Sequence, residues 1–132
     1  MYSRSIWAST VFRADLTIRA CAGAGCPPRA RLRLVGEIDY AARPPLAEII
    51  TRVAASAPAR VVIDLEGLGF ATSELADFVV RLRGRLPRDA DVVLGRAAPP
   101  IDAVLRLTDL RKVATVRGDS PATGAVVCAA TV

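Results

Sequence analysis

Histidine is absent from the 132 residues of this chain, and lysine occurs once, as Lys112. Without an imidazole there is no Ser–His or Cys–His pair to activate a nucleophile, so we predict that the protein is not an enzyme. Aromatic residues make up 5% of the chain, which leaves few rings on which nucleic-acid bases could stack. No apolar run approaches the about 20 residues that cross a bilayer. We therefore predict no direct contact with nucleic acid and none with a membrane.

Cysteine is also scarce, with Cys21, Cys26 and Cys128 as its only occurrences. Three scattered cysteines without histidine make a poor zinc site, so no metal and no cofactor are predicted. Cys21 and Cys26 flank a short Ala-Gly-Ala-Gly segment and could close a small loop. Two reduced thiols are the favoured interpretation for a protein of the cytosol.

The composition is that of one folded domain, with 52% apolar and 23% charged residues. The net charge of +5 comes almost entirely from arginine, which favours an acidic partner. The arginines are spread along the sequence rather than gathered in one run. Residues 1–7 lack the apolar run of a secretory signal. We predict a soluble, cytoplasmic protein.

Two segments near the amino terminus, 15–20 and 31–35, alternate apolar and polar residues, as half-buried strands do. The glycines and prolines between them predict a hairpin with a long turn. Pro44 and Pro45 can start a helix, because proline is tolerated in the first turn. Helix-like and strand-like segments then alternate to residue 116, and Pro121 begins a weak terminal helix. This order predicts a largely parallel sheet with helices covering its faces, and a strand 60–65 buried on both sides.

The segment from Thr72 to Glu74 places hydroxyl groups where a helix begins. Helix capping is the simplest role for such hydroxyls, since they accept hydrogen bonds from the first turn. A phosphate on Ser73 is compatible with that position, because it would meet the helix dipole and unpaired N–H groups. Glu74 and Asp77 oppose it by already placing negative charge in the first turn.

Three further motifs have simpler structural explanations. Glu37 and Asp39 end a strand and are interpreted as solvated carboxylates, with an acidic contact for a partner as the alternative. The basic stretch 81–88 is interpreted as a solvated helix end, with a docking patch for an acidic partner as the alternative. The segment 67–69, GLG, lacks the further residues of a phosphate-binding loop and predicts a tight turn between strand and helix.

Four segments, in this order and with compatible spacing, resemble the STAS family of bacterial anti-sigma-factor antagonists: 34–39 (LVGEID), 61–70 (VVIDLEGLGF), 94–99 (LGRAAP) and 105–113 (LRLTDLRKV). The resemblance covers residues 14–120. It implies an α/β fold, a single STAS-like domain over residues 14–132. Its mixed, mostly parallel sheet would have four to five strands with an N-terminal hairpin, flanked by three to four helices. Residues 1–13 would be an N-terminal extension or an extra strand.

In that family the loop after the central strand reads Asp-Ser-Ser/Thr-Gly, and the serine after the aspartate is phosphorylated by a partner kinase. The resemblance makes Ser73 the candidate phosphoacceptor. Thr72 then replaces the aspartate, Glu74 the second hydroxyl residue and Leu75 the glycine. Each of these three neighbours departs from the family pattern.

The resemblance thus implies a transcription regulator that binds an anti-sigma factor or an anti-sigma-type serine kinase and is released when Ser73 is phosphorylated. The candidate contact residues are Glu37, Asp39, Thr72, Ser73 and Glu74. A homodimer is left open. The alternatives are a degenerate STAS scaffold that is never phosphorylated and a small-molecule-binding domain.

Overall fold

The computed structural model describes residues 2–20, 25–95, 97–110 and 113–116. Within them the sheet consists of six strands: β1 Tyr2–Ala8, β2 Phe12–Arg19, β3 Arg29–Ile38, β4 Arg60–Ala71, β5 Asp91–Leu94 and β6 Thr115–Val116. Three α-helices connect the later strands: α1 Arg43–Ser56, α2 Ser73–Gly84 and α3 Pro99–Leu107. A short 3-10 helix, Tyr40–Ala42, leads into α1. None of the helices in these ranges is long and apolar enough to cross a membrane.

The strands lie side by side in the order in which they occur in the chain. β1, β2 and β3 pair antiparallel, whereas β3, β4, β5 and β6 pair parallel. The parallel pairings need crossovers, and α1, α2 and α3 supply them. The predicted mixed α/β sheet with an N-terminal hairpin is confirmed. The sixth strand is β1, which lies in residues 1–13, where an extra strand was one of the two predicted alternatives.

The hydrophobic core lies between one face of the sheet and the three helices. Alternate residues of β2, β3 and β4 are buried there, and all three helices contribute apolar side chains. On the other face of β4, Val62 and Asp64 are only half-buried. The prediction that β4 is buried on both faces was therefore wrong. The short strand β5 is buried on both, at Val92 and Val93.

The ends of β3 and β4 differ most from the sequence-based expectation. The predicted tight turn at residues 67–69 was wrong, because these residues continue β4 and pair with Val35 and Gly36 of β3. The register shifts between Arg33 and Val35 and again between Gly36 and Glu37, and these irregularities let both strands run on. Turn-forming glycines thus serve here as an irregularity within a long strand.

Gly36 makes a backbone contact that no other residue type could make. Its φ is +101°, and a Cβ built on it would lie 2.1 Å from the carbonyl oxygen of Val11. The next amide, that of Glu37, donates to the same Val11 carbonyl at 2.8 Å. The connection between β1 and β2 is therefore held against the end of β3, next to the edge that carries the candidate site.

Two sequence-based interpretations concern residues at the margins of the described part. Cys26 is disulfide-bonded, so the interpretation of a reduced thiol was wrong for this residue, and its bonding partner lies outside the described residues. The predicted terminal helix after Pro121 also lies outside them. Pro44 and Pro45 do lie in the first turn of α1, as predicted.

Candidate functional site

The candidate residues come together because β3 and β4 are parallel neighbours that end at the same edge of the sheet. Glu37 pairs with Phe70, and Ile38 pairs with Ala71. The Thr72 amide then donates to the Ile38 carbonyl at 3.0 Å, one step beyond the last strand pair. The turn after β3 and the start of α2 are thereby held side by side. We call the surface formed by Glu37, Asp39, Thr72, Ser73 and Glu74 the Ser73 edge.

The two carboxylates after β3 have different surroundings. Asp39 caps the 3-10 helix, since its Oδ1 accepts from the amide of Ala41 at 2.9 Å and its carbonyl accepts from Ala42 at 3.0 Å. Glu37 is exposed and lies within β3. Asp39 thus shapes the turn, and only Glu37 matches the prediction of a fully solvated carboxylate.

Thr72, and not Ser73, is the N-cap of α2. The Thr72 Oγ1 accepts from the Glu74 amide at 3.3 Å, and its carbonyl accepts from the Leu75 amide at 3.1 Å. Ser73 is the first residue of the helix, and it is exposed. Within the described part of the chain, no group is hydrogen-bonded to its hydroxyl. Capping therefore does not occupy the Ser73 oxygen.

Glu74 faces away from Ser73, toward α1. Its carboxylate lies 3.3 Å from the Arg43 guanidinium, and 17% of its side chain is exposed. The same guanidinium lies 5.4 Å from the centre of the Tyr40 ring, within the range of a cation–π contact. Arg43 thus neutralises the acidic charge that the sequence places beside Ser73.

Sequence reasoning missed three residues at this edge: Arg43, Tyr40 and Phe70. The two rings are large and exposed, Tyr40 at 74% and Phe70 at 49%. Exposed aromatic side chains are enriched at protein interfaces. The pairing of Phe70 with Glu37 could not be foreseen once residues 67–69 were predicted to be a turn. Tyr40 could have been noticed as an aromatic residue directly after a polar strand end.

A shallow groove separates α1 from α2 below the Ser73 edge. It is lined by Arg43, Leu46, Ala47, Ile50, Glu74, Asp77, Phe78 and Arg81. Its enclosed volume is about 20 Å³, far below the ~300–1,000 Å³ of pockets that hold small ligands. It also lies between helices rather than at the carboxyl ends of the parallel strands, where ligands of such folds bind. This geometry does not favour the small-molecule alternative.

The basic stretch 81–88 is only partly solvated. Arg83 donates to the carbonyls of Ala90 and Arg88 at 2.8 and 2.6 Å, so it fastens the turn between α2 and β5. Arg81 pairs with Asp77 one helical turn earlier, at 3.1 Å. Arg85 and Arg88 are exposed. The interpretation of a uniformly solvated helix end was wrong for Arg83, whose role is structural.

Comparison of the sequence with protein-family models finds no match, and comparison with curated proteins finds no significant one. Comparison with solved structures does. An anti-sigma factor antagonist from Mycobacterium paratuberculosis shares 19% identity at a TM-score of 0.63, over 88% of this chain and 85% of that one. The anti-sigma factor antagonist SpoIIAA, in its unphosphorylated form, shares 15% identity at a TM-score of 0.62, over 98% of both chains.

The class of protein that this fold defines is the single-domain α/β module with a mixed sheet and helices on one main face. More particularly, the chain has the STAS fold, that of the two anti-sigma factor antagonist structures. The resemblance of the four sequence segments is thus confirmed at the level of the fold. Both solved structures match over nearly their whole length, so the likeness extends across the domain.

Proposed function

We propose that this protein is an anti-sigma-factor antagonist that binds an anti-sigma factor or serine kinase through the Ser73 edge and is released when Ser73 is phosphorylated. The observation that carries the proposal is the exposed Ser73 hydroxyl, which is left unused because Thr72 caps the helix. The STAS fold supports it, as does the unphosphorylated form recorded for SpoIIAA. The protein acts by binding and catalyses no reaction.

Phosphorylation would change the Ser73 edge through charge. A phosphoryl group brings about −1.5 to −2 charges at neutral pH, and it would enter a surface that already holds the exposed carboxylate of Glu37. The first-turn amides of α2 stabilise the phosphate on this chain. A partner that contacts the neutral hydroxyl must instead desolvate a dianion, so its affinity falls.

The exposed rings give the partner its apolar contact. Phe70 lies near the end of β4 and Tyr40 follows β3, so both rings lie at the strand ends that form the Ser73 edge. Interfaces derive most of their affinity from a few aromatic and arginine residues near their centre. Arg43 supplies the arginine, held by Glu74 and stacked on Tyr40.

The phosphoryl transfer is tested by incubating the protein with ATP and an extract of its native cell, followed by mass spectrometry of its peptides. We expect one phosphoryl group, at Ser73, and none in Ser73→Ala. Ser9→Ala is the matched control, because the Ser9 hydroxyl already contacts the Phe12 backbone. A phosphate-free Ser73 in the wild type, or equal labelling of Ser73→Ala, contradicts the switch.

Partner release is tested by comparing two substitutions of similar size. Ser73→Asp adds a negative charge, whereas Ser73→Asn adds none. We expect Ser73→Asp to weaken binding to the purified anti-sigma factor at least about tenfold, equivalent to about 1.4 kcal/mol. Ser73→Asn should stay within about threefold of the wild type.

The second candidate function is a constitutive STAS interaction module that is never phosphorylated. The departures of Thr72, Glu74 and Leu75 from the family pattern favour it, because they alter the surroundings of the acceptor hydroxyl on both sides. Leu75, at the position of the family's glycine, is fully buried and fixes the start of the helix. Equal partner affinity of the wild type and Ser73→Asp would select this function over the switch.

A further inference from the structure

One face of the sheet is lined with charged residues. Over β1–β4 it is the face opposite the core, and its side chains alternate with the buried ones along each strand. Within the described residues, none of the three helices packs on it. The strand pairing aligns seven arginines there, with three aspartates among them: Arg4, Arg13, Arg19, Arg29, Arg31, Arg33 and Arg60, and Asp15, Asp64 and Asp91. We call this surface the arginine face.

Arginines occupy one row of the arginine face on three adjacent strands. Arg19 of β2 is opposite Arg29 of β3, and Arg29 is opposite Arg60 of β4. Residues directly opposite in an antiparallel pair, as Arg19 and Arg29 are, have Cβ atoms about 4.5–5.5 Å apart, and like charges in such pairs are destabilising. The repulsion between these like charges therefore destabilises the isolated fold, and binding of an anionic partner would relieve it.

Three of the seven arginines form a salt bridge with an aspartate, and Arg33 lies directly opposite Asp15 and Asp64 on the neighbouring strands. Arg4 lies 2.6 Å from Asp15, while Arg31 lies 3.9 Å from Asp64 and Arg60 lies 3.7 Å from Asp91. The remaining four make no salt bridge with any residue that the structure describes: Arg13, Arg19, Arg29 and Arg33. All four are exposed and all belong to β2 and β3. The surplus of positive charge is thus concentrated on two adjacent strands.

We propose that the arginine face is a docking surface for an acidic segment of a protein. Guanidinium groups bind carboxylates through two parallel hydrogen bonds, which suits arginine to this contact. The aspartates between the arginines favour a protein over a nucleic acid, because they would repel a continuous row of negatively charged phosphates. Carboxylates that are spaced along a polypeptide match the alternation of arginines and aspartates on this face.

This surface is distinct from the Ser73 edge. Arg29 and Arg60 begin β3 and β4, whereas Ser73 follows the end of β4. A ten-residue strand such as β3 spans about 30 Å at about 3.3 Å per residue. The row formed by Arg19, Arg29 and Arg60 therefore lies at the opposite end of the parallel strands from Ser73, and it can be occupied while the Ser73 edge is empty.

The test measures binding of a fluorescein-labelled decaglutamate peptide to the whole chain at 0.05 M salt. Arg29→Ser/Arg33→Ser removes two charges from the arginine face. Arg85→Ser/Arg88→Ser is the matched control, because it removes two exposed charges from the end of α2 and the turn after it. We expect the dissociation constant to rise at least about fivefold in the first variant and less than twofold in the control. Arg29→Lys/Arg33→Lys, which keeps the charge but loses the paired hydrogen bonds, should fall between them.

Equal losses in the two charge-removing variants would mean that only net charge matters, and would overturn the proposal. So would the absence of peptide binding. A 20-base-pair duplex that binds more tightly than the peptide, and is lost in Arg29→Ser/Arg33→Ser, would reassign the surface to nucleic acid. Thermal unfolding of each variant shows whether it is folded. Because Ser73→Asp should leave peptide binding unchanged, this test can fail without bearing on the proposed phosphoswitch.

Discussion

The guanidinium of Arg43 lies 3.3 Å from the carboxylate of Glu74, and this pair joins the first turn of α1 to the first turn of α2. Glu74 follows Ser73 directly, so its charge would oppose a phosphate if it faced the same way. Its pairing with Arg43 turns it toward the neighbouring helix and leaves Ser73 exposed. One salt bridge thus separates the structural role of Glu74 from the exposed hydroxyl of Ser73 in the same helical turn.

The Arg43–Glu74 pair should contribute modestly to stability. The Arg43 side chain is 43% exposed, and exposed ion pairs contribute about 0.2–1 kcal/mol. We expect a double-mutant cycle of Arg43→Ala and Glu74→Ala to give a coupling energy in that range by urea unfolding. Arg43→Lys keeps the charge but loses the planar group over Tyr40. A coupling energy near zero would show that the pair only orients Glu74.

Thr72 and Ser73 should respond differently to the same truncation. Thr72→Ala removes the N-cap of α2 and should lower the free energy of unfolding by about 1 kcal/mol. Ser73→Ala removes an exposed hydroxyl without a described partner, so its effect should stay within about 0.5 kcal/mol. Chemical denaturation of the two variants measures the difference. Equal destabilisation would contradict the assignment of the cap to Thr72.

Gly36 and Gly84 form a second matched pair. Gly36→Ala places a methyl group against the Val11 carbonyl at a φ of +101°, so we expect a loss of about 3 kcal/mol or more, or a failure to fold. Gly84 ends α2 with open space around its Cα. Gly84→Ala should therefore raise stability by about 0.4–1 kcal/mol. Thermal unfolding of both variants checks that Gly36→Ala lowers the stability and that Gly84→Ala raises it.

Asp15 should make the free energy of unfolding depend on pH in the acidic range. The Arg4 guanidinium, which donates to both carboxylate oxygens at 3.0 and 2.6 Å, lowers the pKa of Asp15 from 3.8. The stabilisation is present above pH 3.8 and is lost as the pH falls through the lower folded value. Urea unfolding at pH 6 and pH 2 should show a smaller acid-induced loss in Asp15→Asn than in the wild type. An identical loss in both would exclude this contribution.

The exposed rings should affect binding and not folding. Tyr40→Ser and Phe70→Ser each remove an exposed ring. We expect each to weaken binding of the anti-sigma factor by at least about 1 kcal/mol, with little change in thermal stability. Leu107→Ser is the control, because Leu107 is 86% exposed on α3. If Leu107→Ser weakened binding as much as the ring substitutions, the contact would not be centred on the Ser73 edge.

Local sequence patterns predicted most of the elements. Alternation at residues 15–20 and 31–35 predicted the β2–β3 hairpin, and Pro44 and Pro45 marked the start of α1. The errors lie at strand ends, where glycine has two physical uses. Residues 67–69 can turn a chain or serve as an irregularity in a strand, and only pairing with β3 determines which occurs. The same limit hid Phe70 from the candidate site.

The sequence by itself determined the order of the elements, the hydroxyl at the start of α2 and the absence of imidazole chemistry, because these depend on residue identity and local spacing. Tertiary structure decided which hydroxyl caps the helix and which way Glu74 faces. It also decided that positive charge is concentrated on the arginine face. Arginines that are spread between positions 4 and 60 become neighbours on one face, because the strand register aligns residues far apart in sequence.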